Sequence, residues 1–384
     1  MSRWLPVLGV MLLGSGCSWV TGFLRGTDNS APPAELVEIA TPISIEKLWE
    51  TEVGSGTEGS FVKLSPAVDS GTVYAASFSG EVAALNSDSG EERWKIETEE
   101  PISAGVGLSE NFALVGTNTG QVLALRREDG TEAWRTQVSS EILATPRAAD
   151  GVVVVRTVDG KFTGLNENSG EQLWVYQYTV PVLTLRGTAP PLLGQGVAIA
   201  GLDSGKLVAI SLKDGIPVLE MTIAPPRGRT ELDRLVDVDA EPKAIGAVLF
   251  VAAYQGNISA IDLRNGNTIW AREISIHSGL DVSPQGVYVS DADDSVWGLD
   301  LRTGNTRWEQ PALSGRSLSA PVVSQDYVVV GDFEGYLHWL DSNTGQIVGR
   351  VEVSDEGIGV APVGDGGSLF VLANDGTLSA FRAR

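Results

Sequence analysis

The sequence has a single cysteine and two histidines, so no disulfide can form within the chain and the ligands of a metal or redox centre are thinly supplied. Basic residues are also scarce. Against 49 Asp and Glu there are 27 Lys and Arg, a balance by which nucleic acid and anionic lipid surfaces repel the fold on average and a basic protein surface fits it better. The apolar run at residues 4–13 is too short to span a bilayer. A 3.6-residue apolar period, which a helical repeat would show, is missing. Glycine, at 45 residues, is abundant, and aromatics are modest, which suits many short strands joined by tight turns. A chain of 384 residues has room for two ordinary domains or for one large closed repeat structure with a continuous core.

The amino terminus reads as a secretory signal: Arg3, the apolar run, and then Gly14, Ser15 and Gly16 directly before Cys17. That the only cysteine follows the small residues favours lipoprotein processing over an ordinary signal peptide ending near a cysteine by chance. Ser15-Gly16-Cys17 resembles a bacterial lipobox, although Gly14 stands where that pattern usually has Leu, here Leu13. The resemblance implies cleavage before Cys17 and lipid on it, leaving 26 basic and 49 acidic residues, a formal charge of −23. Ser18 is not the aspartate associated with inner-membrane retention, so outer-membrane delivery is expected. The expected map is a signal peptide at 1–16, a lipidated Cys17 with a flexible tether through 42, and one repeat domain from 43 to 384. Fully extended, residues 18–42 reach on the order of 80 Å.

From residue 43 one pattern recurs: an apolar strand, a turn ending in Gly, a second strand, a second Gly turn, then Trp. The first-turn glycines fall at 80, 120, 160, 205, 256, 335 and 376, with Asp294 in the sixth place, and the second turn follows ten residues later in all seven complete copies. A period near 40 with alternating large and small apolar residues, as in Glu81-Val82-Ala83-Ala84-Leu85, is the signature of a propeller blade. Short strands such as Ser65-Pro66-Ala67-Val68, Ala144-Thr145-Pro146, Ala320-Pro321-Val322-Val323 and Ala361-Pro362-Val363 precede the pattern and give each blade four strands. The expected fold is therefore all-β, an eight-bladed β-propeller. Its last copy stops at Arg384 without a fourth strand, which the Trp-bearing segment 45–50 is expected to supply, removing the exposed edge.

One repeat position holds Trp94, Trp134, Trp174, Trp270 and Trp308, with Trp49 in the equivalent segment, but Leu219 and Gly349 in the fourth and seventh copies. A tryptophan row can stack on carbohydrate or quinone. Recurrence at one repeat position favours docking between adjacent blades instead. His277 and His338 stand in unlike settings and read as surface or packing residues. The acidic strings 291–294 and 237–239 lack the spaced oxygens of a calcium loop, and Gly105-Val106-Gly107 lacks the third glycine and strand-to-helix setting of a nucleotide site. No metal, cofactor or catalytic residue is expected.

The period breaks twice, by a step of 45 that contains residues 182–187 and a step of 51 with its excess around 224–244. Insertions in a repeat ring fall in loops, where binding groups gather. Leu183 and Leu185 offer apolar anchors beside Arg186, and Arg227, Arg229 and Arg234 interrupt an acidic chain next to Asp233, Asp237 and Asp239. Arg186 can alternatively neutralise one of these aspartates and hold the loops together, and the two readings are compatible.

The repeat is similar to the quinoprotein type of propeller repeat over residues 43–384. Together with the lipobox, the tether and the segments 183–187 and 233–239, the chain resembles the BamB family of lipoproteins. The resemblance implies a non-catalytic scaffold subunit of the outer-membrane β-barrel assembly machinery, anchored by lipid to the periplasmic face of the outer membrane. It implies that Leu183, Leu185, Arg186, Asp237 and Asp239 form one patch that binds the POTRA domains of BamA, with unfolded barrel proteins as clients. The rival reading is a pyrroloquinoline-quinone dehydrogenase on the same repeat. Such an enzyme is generally longer and needs a cation site and a catalytic carboxylate at the propeller axis.

Overall fold

The computed structural model describes residues 32–40, 42–185, 189–227, 229–230, 232 and 234–384. In the compact unit Ala34–Arg384 the strands, β1 to β32 in chain order, make eight four-stranded antiparallel sheets, each built from consecutive strands except the last. In the first blade β2 (Ala67–Asp69), β3 (Thr72–Ala76), β4 (Glu81–Asn86) and β5 (Glu92–Glu97) run from the axis outward. The two middle strands are apolar on both faces because a neighbouring blade covers each side, so β3 is buried throughout. The outer strand shows water all but its tryptophan face.

The expected eight-bladed ring and its closure are both present. β1 (Ile45–Glu52) pairs antiparallel with β32 (Thr377–Ala383), from Ile45 opposite Ala383 to Glu52 opposite Thr377, so the eighth blade is completed by the opposite end of the chain. The inner strands begin later than the sequence suggests, at Ala67, Arg147, Val322 and Val363, each just after a proline. Proline has no N–H to give a ladder, and so it marks the threshold of the strand. Asp294 holds the sixth turn with φ of 62°, whereas in the fifth the left-handed residue is Gln255 and not Gly256. The Gly105-Val106-Gly107 run lies in β6 (Ile102–Leu108), where a Cβ on Gly107 would stand 1.8 Å from the Pro146 carbonyl, so that these glycines serve close contact between blades.

A repeated joint fastens the blades. Trp49, Trp94, Trp134, Trp174, Trp270 and Trp308 each donate Nε1–H to a backbone carbonyl of the next blade, at 2.7–3.2 Å. Each acceptor lies three residues before that blade's second-turn glycine, and a Cβ on the glycine would come within 2.4–2.8 Å of indole carbons. Hence the ten-residue spacing is kept. Within its own blade each tryptophan sits opposite a small residue, Ala380, Ala84, Ala124, Gly164, Ala260 or Gly298 in the same order, with a bulge beside the pair.

Two blades depart from the joint. In the seventh, the large and small residues have changed strands: Trp339 of β28 (Tyr336–Asp341) faces Gly349 of β29 (Ile347–Glu352). Trp339 is buried against Phe381, and the bare glycine is covered by Ile43 and Ile45 of the amino-terminal segment. That segment is tied along blade 7 by Ala34 N–H to Ser314 O, by Arg350 to Val37 O and by Ile43 N–H to Val348 O, so the flexible tether expected through residue 42 stops short of Ala34. In the fourth blade Ala209 faces only Leu219, and among the described residues nothing lies within 4 Å of a Cβ built on Gly266.

Candidate partner-binding site

At the end of an outer strand the chain meets the first-turn glycine of its own blade, as in Tyr178 N–H to Gly160 O and Ile223 N–H to Gly205 O. The first turns and the blade-to-blade connections therefore share one face of the ring, and both period-breaking connections lie there. The first joins β13 (Gln172–Gln177) to β14 (Leu192–Gly194), and the second joins β17 (Pro217–Thr222) to β18 (Lys243–Ile245). In the first, Val182 is fully exposed, Leu183 is 39% exposed and Leu185 is half-buried. Arg186, expected beside them, lies outside the described residues, as do Cys17 and the signal segment.

The two connections are tied together. Ala189 N–H donates to Asp239 Oδ1 at 2.8 Å, and Lys63 reaches Asp239 Oδ2 at 3.8 Å. Asp239 and Lys63 also line a cavity of about 1080 Å³ around the axis. In the same cavity Glu241 is held by Arg147 and Lys243, each at 2.7 Å. Burial raises the Glu241 carboxyl, but these two cations bring it below its ordinary value.

Asp237 corrects the expectation for the patch. Expected at the surface with Asp239, it is wholly buried. Its backbone bridges to Tyr254, with Tyr254 N–H on Asp237 O at 2.7 Å, while Val236 and Val238 pack into the core on either side. Gly201 lets Val238 come this close, since a Cβ there would lie 2.0 Å from the Val238 carbonyl. Among the described residues neither carboxylate oxygen of Asp237 has a hydrogen-bond partner. Burial, and then the charges of Asp239 and Asp203, push its pKa up to about 8, against the pull of Arg156 and Lys63.

Beside it is a buried cluster that the sequence pattern does not announce. Arg156 bonds Asp203 Oδ1 at 2.5 Å and Tyr178 Oη at 3.2 Å. Burial opposes the Arg156 charge, yet Tyr178, Asp203, Asp239 and Asp237 hold it firmly protonated. Burial drives the Tyr178 hydroxyl up to about 12. The one signal is that Arg156 interrupts the apolar run 152–155. On blade 7 His338 is buried as well, bonding Asp332 through Nε2 and accepting from Arg350 at Nδ1. Of the acidic string 291–294, Asp291 accepts from Asp293 N, Ser295 N and Trp297 Nε1, and Asp294 from Ser317 N and Leu318 N.

The family described as outer membrane protein assembly factor BamB matches residues 79–310 and 309–384 of this chain. A relative of that description from Pseudomonas aeruginosa is 49% identical over the full length of both chains. The chain belongs to the BamB family. The crystal structure of BamB from Moraxella catarrhalis superposes with a TM-score of 0.82 at 27% identity, covering 88% of this chain and all of that one. A quinohemoprotein alcohol dehydrogenase from Comamonas testosteroni gives 0.71 at 15% identity, over 88% of this chain and 76% of that one. At that identity the likeness is one of fold alone, whereas the Pseudomonas aeruginosa relative matches in sequence from end to end.

Proposed function

We propose that this chain is a non-catalytic scaffold subunit of the machinery that assembles outer-membrane proteins, and that it binds the periplasmic POTRA domains of BamA through the face carrying its two long connections. Family membership supports the subunit role. The observation that carries the contact is the pairing on one face of an exposed apolar turn, Val182 and Leu183, with the connection that holds Asp239. Leu183, Leu185 and Arg186 are the contacting residues and Asp239 orders the turn through Ala189. Asp237 contributes from beneath, by fixing the course of the second connection. Leu183→Ala and Arg186→Ala should each weaken recovery of BamA from detergent-solubilised envelopes by about 2 kcal/mol or more. Wild-type recovery by both variants under stringent washing would send the search to another face.

The same reading puts the chain at the periplasmic face of the outer membrane, held by lipid on Cys17 after removal of residues 1–16, with 18–33 as tether, because Ala34, Val37 and Ile43 are bonded to the ring, and with unfolded barrel proteins as clients. Cys17→Ser should leave the ring folded and release it from membranes when BamA is absent. Quinone-dependent dye reduction by the purified chain would instead favour the dehydrogenase reading.

A further inference from the structure

The fourth blade lacks its tryptophan, and no described residue fills the place where an indole belongs. Leu219 occupies the strand position, Ala209 faces it, and neither covers Gly266 of blade 5. Across the seam the receiving half of the joint is intact: Gly266 keeps the left-handed turn, with φ of 72°, and is bare. Leu263 stands three residues before it, where six other blades present the carbonyl that an indole N–H engages, and no donor among the described residues reaches its oxygen. The walls are apolar and exposed. Ile216 and Val218 are more than half exposed, Leu219, Leu263 and Ile269 about two-fifths to a half. At the position of Val218 and Ile269, just before the tryptophan slot, blades 1 and 6 carry Arg93 and Arg307.

We propose that the seam between blades 4 and 5 is a receptor slot for an aromatic side chain, tryptophan above all, carried on an extended segment of another polypeptide. Two internal precedents specify the occupant. Six joints of the same ring show what the glycine and carbonyl accept: an indole laid on the glycine with its N–H on the carbonyl oxygen. Blade 7, the other blade without tryptophan on its outer strand, shows what covers such an edge: an extended segment bonded to the outer strand through Ile43 N–H and Val348 O, with Ile43 and Ile45 against Gly349. A strand alongside β17 that inserts one aromatic residue meets both conditions. A second copy of the chain has no free indole to offer among its described residues. Six fill seams, Trp339 is buried, and Trp297 donates to Asp291. This inference stands apart from the BamA contact, which uses the loops on one face and not the outer wall.

The test uses the full lipidated chain in detergent and a fluorescent synthetic peptide that alternates threonine and valine around one tryptophan. The peptide should bind, and replacing its tryptophan by alanine should weaken binding about tenfold. Leu219→Trp, which gives blade 4 the missing side chain, should abolish binding and raise the melting temperature. Val218→Asp, at an exposed position, should weaken binding without disturbing the fold, and it keeps the test decisive should Leu219→Trp fold badly. No binding, or equal binding of both peptides, or undiminished binding by Val218→Asp and a folded Leu219→Trp, overturns the proposal. Self-association that Leu219→Trp removes assigns the slot to a second copy, and peptide binding that appears only in Trp19→Ala assigns it to the chain's own amino-terminal segment. Either result also overturns it.

Discussion

Blades 4 and 7 both lack the outer-strand tryptophan, and the ring resolves the two losses in opposite ways. At blade 7 the vacated position is filled: Trp339 has moved one strand inward, Ile43 and Ile45 cover Gly349, and the neighbouring Asp332 carboxylate accepts from Arg316, His338 and two backbone N–H groups. Those hydrogen bonds, led by His338, bring Asp332 below its ordinary value in spite of burial, while burial lowers His338 despite its bond to Asp332. At blade 4 the outer joint is left open: among the described residues nothing fills the slot, its walls are exposed, and the buried Asp237 carboxyl on the following connection has no hydrogen bond. A position lost from a repeat is therefore not simply a weakness. One loss was absorbed into the closure of the ring, and the other leaves exposed apolar surface that folding alone does not require.

The comparison can be broken most forcefully at blade 7. Deleting residues 34–53 removes both the covering segment and β1, and it should leave a ring without a closed eighth blade, unfolded or aggregated at ambient temperature, as read by circular dichroism and light scattering. An unchanged melting curve would end the closure argument. Next in size is the indole joint itself: Trp94→Ala should cost about 3–5 kcal/mol in denaturant unfolding, whereas Leu219→Ala, at an exposed site, should stay within about 0.5 kcal/mol. Equal losses would mean that blade 4 is jointed like the others.

A finer test exchanges the glycines. Gly304→Ala forces a methyl into the Trp270 ring as well as a left-handed φ, while Gly266→Ala meets only the φ cost of about 1–2 kcal/mol. Gly304→Ala should be the more damaging by at least that amount. A pH-dependent test concerns the buried Asp237 carboxyl. Asp237 has a pKa of about 8 when folded against an ordinary 3.8, so the unfolded chain gives up this proton first. Its contribution is whole below about pH 4 and declines as pH rises through 8. Asp237→Asn, which keeps the shape of the protonated acid, should match the wild type near pH 4 and exceed it in melting temperature by a few degrees at pH 9. A gap that does not widen with pH would show that a partner for the carboxylate exists.

The ring is legible in the sequence because its joints repeat. A glycine that must lie under an indole cannot drift relative to its strand, so the ten-residue spacing carries the register, and the unmatched segment at 45–50 reveals the closure. Asp237 is not legible. Flanked by Val236 and Val238 it alternates like a half-exposed strand, and only the bridge to Tyr254 and the packing against Gly201 close the outer side over it. The exchange of Trp339 and Gly349 is visible as two departures, but nothing local says that they stand opposite each other. The empty slot is equally visible as Leu219, yet a missing tryptophan reads as simple variation until the intact glycine and carbonyl across the seam are seen.

The pairing of β1 with β32 also sets an order of events. Ile45 and Ala383 are neighbours in the sheet although nearly the whole domain lies between them in the chain, so these hydrogen bonds form only after the final strand has been delivered. Until then β1 is an unpaired strand, Ile43 and Ile45 have no completed eighth blade beside them, and the first and eighth blades have no common seam. A chain that emerges amino end first must keep its earliest strand out of wrong pairings for the whole time of its delivery, and the charged residues Glu46, Lys47, Glu50 and Glu52 along that strand, unlike the apolar run of β3, suit it to wait in water.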